Sequence, residues 1–134
     1  MDDYPPLYVD FLYLFNREHD YYECHEALEE LWLEEGRERF YQGLLQVSVG
    51  LYHFENGNVG GAKKLFASAL KKFAGYPGPF WMGIHLRRLI NEVKDYFAKL
   101  NEFESRPFSF YPLCIEIVDH ELKEAVERRG AGEK

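Results

Sequence analysis

Two cysteines, Cys24 and Cys114, are all that the chain's 134 residues contain. A single bridge would hold little of a domain this size, so reduced thiols and a cytoplasmic protein are expected. No apolar run approaches the roughly 20 residues that a membrane-spanning helix needs. The start, Met1-Asp2-Asp3-Tyr4, is acidic where a secretory signal is basic, which speaks against export. Basic residues are outnumbered: 16 Lys and Arg against 23 Asp and Glu leave a net charge of −7, so no nucleic-acid partner of the usual kind is expected. Neither G-x-x-x-x-G-K-[ST] nor G-x-S-x-G occurs, which removes the phosphate-binding loop and the nucleophile elbow.

Aromatic side chains are abundant: 2 Trp, 10 Tyr and 11 Phe make up 17% of the chain. With 46% hydrophobic and 29% charged residues, the composition is that of a folded protein. The length suits one domain. We place it at residues 1–129, with 130–134 as a frayed tail. Charge is segregated. Residues 1–58 carry three basic and thirteen acidic side chains, whereas residues 59–101 carry eight basic and two acidic. Such blocks read as solvated helix faces of opposite sign, or as a basic strip for an anionic partner.

The spacing of apolar residues is helical almost throughout. Pro5-Pro6 opens a first helix running to about Arg17, with Leu7, Phe11, Leu14 and Phe15 on one side. Asp20 and Glu23 read as a capping box for a second helix over about 21–35, ended by Gly36. A third helix covers about 37–56, and Asn58 caps a fourth over about 59–74. After Gly75-Tyr76-Pro77-Gly78-Pro79 a fifth is expected over about 80–102. Residues 105–118 lack helical character, and Cys114-Ile115-Glu116-Ile117-Val118 alternates like an extended arm. Asp119 caps a last helix to about Arg129. The expected fold is therefore all-α: a compact bundle of about five helices around the third, with a short arm and a C-terminal helix. Self-association is expected, if anywhere, through exposed aromatics on the first or last helix.

The third helix is apolar nearly all round, the mark of a central, buried element. Its one polar stripe holds Arg39, Gln42, Gln46 and His53, with Gly43 and Gly50 interleaved. Glycine inside a helix costs about 1 kcal/mol against alanine, so two on one stripe point to a helix or ring packed close to the backbone. On the second helix His25 and Glu29 lie one turn apart on the flank that carries Trp32. We expect that helix to lie along the stripe, gathering His25, Glu29, Trp32, Arg39, Gln42, Gln46 and His53 into one semi-buried cluster.

The same residues resemble a known family. Tyr21-Tyr22-Glu23-Cys24-His25-Glu26-Ala27-Leu28-Glu29-Glu30-Leu31-Trp32 is similar to the Y-x-E-x-H-E-x-L-E-x-x-W helix of the domain of unknown function 309 family. Gln42-Gly43 and His53 match that family's following helix. Gly57-Asn58 with Gly60-Gly61-Ala62 is similar to its next turn. The resemblance covers about residues 15–103. It implies a small all-helical intracellular domain, in a family whose members have carried the label "predicted metal-dependent hydrolase".

Two functions of different class follow. One is a non-catalytic module that binds an unidentified small molecule or protein, the polar cluster setting its architecture or its site. The other is a hydrolase with zinc or manganese held by His25, Glu29 and His53 and with Glu26 as general base, since residues four apart on a helix can share one metal. Such pairs are common in so acidic a chain: His120-Glu121-x-x-Glu124 repeats the pattern. Asn58, Gly60 and Gly61, near Lys63 and Lys64, form a candidate anion site at a helix start, or a plain capped turn. Cys24 on a buried arc makes a poor nucleophile.

Overall fold

A computed structural model describes residues 4–132. Pro6 occupies the first turn of α1 (Pro6–Tyr13), where its missing N–H costs nothing. The helix widens into a π-helical turn over Leu14–Glu18, closed by His19 in the left-handed conformation at φ 52. Asp20 then accepts from the Glu23 amide at 3.1 Å and starts α2 (Tyr21–Glu34). Gly36 and Arg37, both at positive φ, turn the chain into α3 (Arg39–Glu55). Asn58 accepts from Gly61 N at 2.9 Å to cap α4 (Val59–Phe73).

The fifth element differs from the sequence expectation. Residues 80–85 form a hairpin, β1 (Phe80–Trp81) antiparallel to β2 (Ile84–His85), and α5 begins only at Leu86 (Leu86–Asn101). Met82 and Gly83 both take positive φ, the signature of a tight two-residue hairpin turn. A Cβ at Gly83 would come within 2.7 Å of Leu122, so helical propensity in this stretch yields to a turn that admits no side chain. Residues 105–118 run as the expected arm, with Leu113 and Ile115 buried and Cys114 and Glu116 exposed. The arm lies along β2, where His85 N donates to Glu116 O and Val118 N to Gly83 O. Asp119 caps α6 (His120–Ala131), which runs two residues past its expected end. Of the tail expected to fray, Glu133 and Lys134 lie outside the described residues, as do Met1–Asp3.

Among the described residues the architecture is six α-helices and one small hairpin, an all-α fold with α3 between α2 and α4. α1 packs on α2, α5 on α4, and α6 returns to α1. The aromatic surplus forms the core: Tyr8, Phe11, Phe15, Phe40, Phe66 and Tyr96 are wholly buried. Burying each such side chain stabilises the fold by about 1.5–3 kcal/mol. Because α1 and α6 cover each other, the exposed large apolar side chains sit elsewhere, among them Tyr22, Leu33 and Tyr52 on α2 and α3.

Candidate functional site

The glycine stripe on α3 does receive bulky rings, but from α4 rather than α2. A Cβ at Gly43 would meet the Phe73 ring at 2.5 Å, and one at Gly50 the Phe66 ring at 2.8 Å. α4 therefore runs antiparallel to α3 along this stripe. α2 lies on the adjoining side, also antiparallel, with the Tyr22 ring 5.9 Å from that of Tyr52.

This placement divides the expected polar cluster. On α2, His25 pairs within its own helix, Nδ1 3.5 Å from Glu26 and Nε2 3.7 Å from Glu29. On α3, Arg39 donates to the Lys71 carbonyl at 2.9 Å, satisfying the last turn of α4. His53 stands 3.5 Å from the Asn58 amide, again on the α4 side. In between, Gln46 Oε1 and Trp32 Nε1 are buried with no partner among the described residues. Each such orphan costs about 1–3 kcal/mol. Arg37 covers the Trp32 ring at 5.4 Å. Gln42 is half-buried on the same edge of α3.

The donor set does not fit a metal. Among the described residues no three His, Cys, Asp or Glu side chains are placed to hold one. The expected set of His25, Glu29 and His53 is therefore not assembled, because His53 is drawn to the cap of α4 while His25 is held by its own helix. The hydrolase reading loses its geometric basis.

Cys24 lies 3.8 Å from the Phe11 carbonyl, and burial pushes its thiol far above the usual range, partly opposed by the Ser48 hydroxyl. It is a core residue. At the anion candidate, Asn58 takes up the Gly61 amide. The cleft beside Gly60 and Lys63, about 710 Å³, is also lined by Glu102 and Glu104, whose charges oppose an anion.

The half-buried side chains instead define a continuous face along one side of α2, α3 and α4. α2 contributes Tyr22 and Leu33, each 52% exposed, beside His25, Glu29 and Trp32. α3 contributes Leu45, Val49 and Tyr52 along with Gln42, Gln46 and His53. α4 contributes Leu65, Ser68 and Lys72. Sequence reasoning missed this face by taking α3 as a central, buried helix with a single polar stripe. The signal was present: Leu45, Val49 and Tyr52 make α3 more apolar than its α4 and core contacts require.

Residues 8–65 match the family described as "Domain of unknown function (DUF309)". Over 126 residues, 91% of this chain and 70% of the relative, the sequence is 32% identical to "Uncharacterized protein YpuF" of Bacillus subtilis (strain 168). Over 84 residues it is 31% identical to an "Uncharacterized protein" of Aquifex aeolicus (strain VF5), spanning 24% of that longer chain. The chain belongs to the DUF309 family.

Proposed function

We propose that the domain is a non-catalytic helical binding module, and that its contact surface is the open face of α2, α3 and α4. One observation carries the reading: Tyr22 and Tyr52 stand exposed side by side with rings 5.9 Å apart, Leu33 is exposed three turns along α2, and Leu45 and Val49 lie half-buried on α3. Apolar side chains grouped in this way on an otherwise charged surface mark an interaction site. The groups that the hydrolase alternative would use make local contacts, His25 with Glu26 and Glu29 and His53 with Asn58. Two unpaired thiols, Cys24 and Cys114, support a cytoplasmic setting. Among the described residues no helix is long and apolar enough to cross a membrane.

Native mass spectrometry of the tagged chain, gently purified from the cells that make it, tests the reading. The wild type should carry additional mass, and the Tyr22→Ser/Tyr52→Ser variant should lose it while keeping its circular dichroism spectrum. Recovery of both proteins as bare chains would end the proposal.

A further inference from the structure

The face has opposite charges on its two sides. α2 carries Glu23, Glu26, Glu29, Glu30 and Glu34 with no Lys or Arg. α4 carries Lys64, Lys71 and Lys72 toward this side, Lys63 lying in the cleft beside Glu102 and Glu104, and it has no Asp or Glu. Between them, α3 has no Lys, Arg, Asp or Glu from Phe40 to Phe54. The surface thus reads across as acidic rail, apolar centre, basic rail.

We infer that the partner is a second copy of this chain, docked about a two-fold axis parallel to α3. This rests on the binding-module reading and names its occupant. Such an axis exchanges the two sides of the face. The acidic α2 of each copy then lies over the basic α4 of the other, twice, while the Leu45, Val49 and Tyr52 strips meet at the centre. A two-fold axis across α3 would set α2 on α2 and α4 on α4, with like charges opposed, and is disfavoured. A face that recognises its own copy in this way is the isologous interface of a closed dimer.

The heights agree as well. The Tyr22–Tyr52 contact sets α2 against α3, and the Gly43–Phe73 and Gly50–Phe66 contacts set α4 against α3. By these registers Glu29 and Lys71 both stand level with Leu45, and Glu30 and Lys72 with Leu44. The axis moves nothing along α3, so Glu29 meets the Lys71 level of the other copy and Glu30 the Lys72 level. Three helices side by side, each of about four turns, present roughly 600 Å². That approaches the ~800 Å² per partner of a standard interface.

Analytical ultracentrifugation of the full recombinant chain tests the proposal, using Glu29→Lys/Glu30→Lys and Lys71→Glu/Lys72→Glu variants. The wild type should be dimeric at about 100 µM, with its dissociation constant rising about ten-fold or more between about 0.05 and about 0.5 M NaCl as the rails are screened. Each variant alone sets like charges against each other at the 29/71 and 30/72 levels and should be monomeric at low salt. An equimolar mixture should form a heterodimer, because the four basic side chains of one variant at these levels then meet the four acidic ones of the other. Circular dichroism melts confirm that both variants fold. A monomeric wild type, a variant that still pairs with itself, or a mixture that stays monomeric would overturn the second-copy assignment. Should the assignment fail while cell-derived protein still carries a different mass that Tyr22→Ser/Tyr52→Ser removes, the binding-module reading stands without it. If that mass is absent too, both fall.

Discussion

Polar groups are treated in opposite ways at the arm and at the open face of α2–α4. At the arm they close on one another. Asn16 donates from Nδ2 to the Ile115 carbonyl at 2.8 Å and accepts from the Ile115 amide at 2.8 Å, so one side chain does the work of a neighbouring strand. Tyr96 does the same for Tyr111, donating to its carbonyl at 2.8 Å and accepting from its amide at 3.1 Å. Tyr8 donates to the Met82 carbonyl, and Arg129 meets Asp10 at 2.8 Å to fasten α6 to α1. At the open face Gln46 Oε1 and Trp32 Nε1 are orphaned, as are Tyr21 Oη and Glu92 Oε1 near the arm, but the face sets its orphans beside exposed Tyr22, Leu33 and Tyr52. The arm is a stretch of backbone that would lose stability unless hooked, and the fold hooks it. The face leaves buried polar atoms unpaired and large apolar side chains uncovered among the described residues.

Alkaline pH should have the largest effect, on the paired region through Tyr96 and on the rest of the core through Tyr41 and Tyr76. Burial pushes the Tyr41, Tyr76 and Tyr96 phenols up to about 12, above the ordinary 10.0, whereas unfolding restores the ordinary value. Their contribution is complete below pH 10 and is lost as pH rises toward and past 12. Urea unfolding followed from pH 8 upward should show a steep loss above pH 10, and buried tyrosinate absorbance should appear with the unfolding transition. Phenols that all titrate near pH 10 in an intact fold would contradict the burial argument.

Asn16→Ala comes next. It strands the Ile115 amide and carbonyl together, and at about 1–3 kcal/mol for each buried group left unpaired the loss is about 2–6 kcal/mol. Chemical denaturation reads the energy, and hydrogen exchange should show amides 113–118 opening first. A loss under about 0.5 kcal/mol would mean that the arm is held by packing alone. The smallest effect belongs to the face. Tyr22→Ser/Tyr52→Ser should change folding stability of the monomer by no more than about 0.5 kcal/mol, as exposed positions do. A loss as large as that of Asn16→Ala would make the face a core element and erase the contrast.

The family helix, the capped starts at Asp20, Asn58 and Asp119, and the break at Gly75–Pro79 were all legible, because helix periodicity and capping are written within a few residues. The hairpin was not. Trp81-Met82-Gly83-Ile84 is too short for a period to appear, and its turn is enforced by Leu122 and Tyr4, distant in the chain. Asn16 was visible as a residue but not as a clamp, since its partner lies 99 residues away. The polar stripe on α3 was read correctly as a place of close approach, but attributed to the wrong helix. Gly43 and Gly50 announce that a ring will come near, not which helix will bring it.

The sequence by itself determined the class of fold, the position of nearly every helix and the family, because these depend on local periodicity, caps and a contiguous motif. Only the tertiary structure decided the fate of the histidines. His25 and His53 stand on α2 and α3, but α4 took the glycine stripe and, through Asn58, the imidazole of His53 with it. Which helix fills a groove is set by the fit of Phe66 and Phe73 rings against backbone lacking Cβ atoms, a property of two surfaces together that neither strand of sequence states alone.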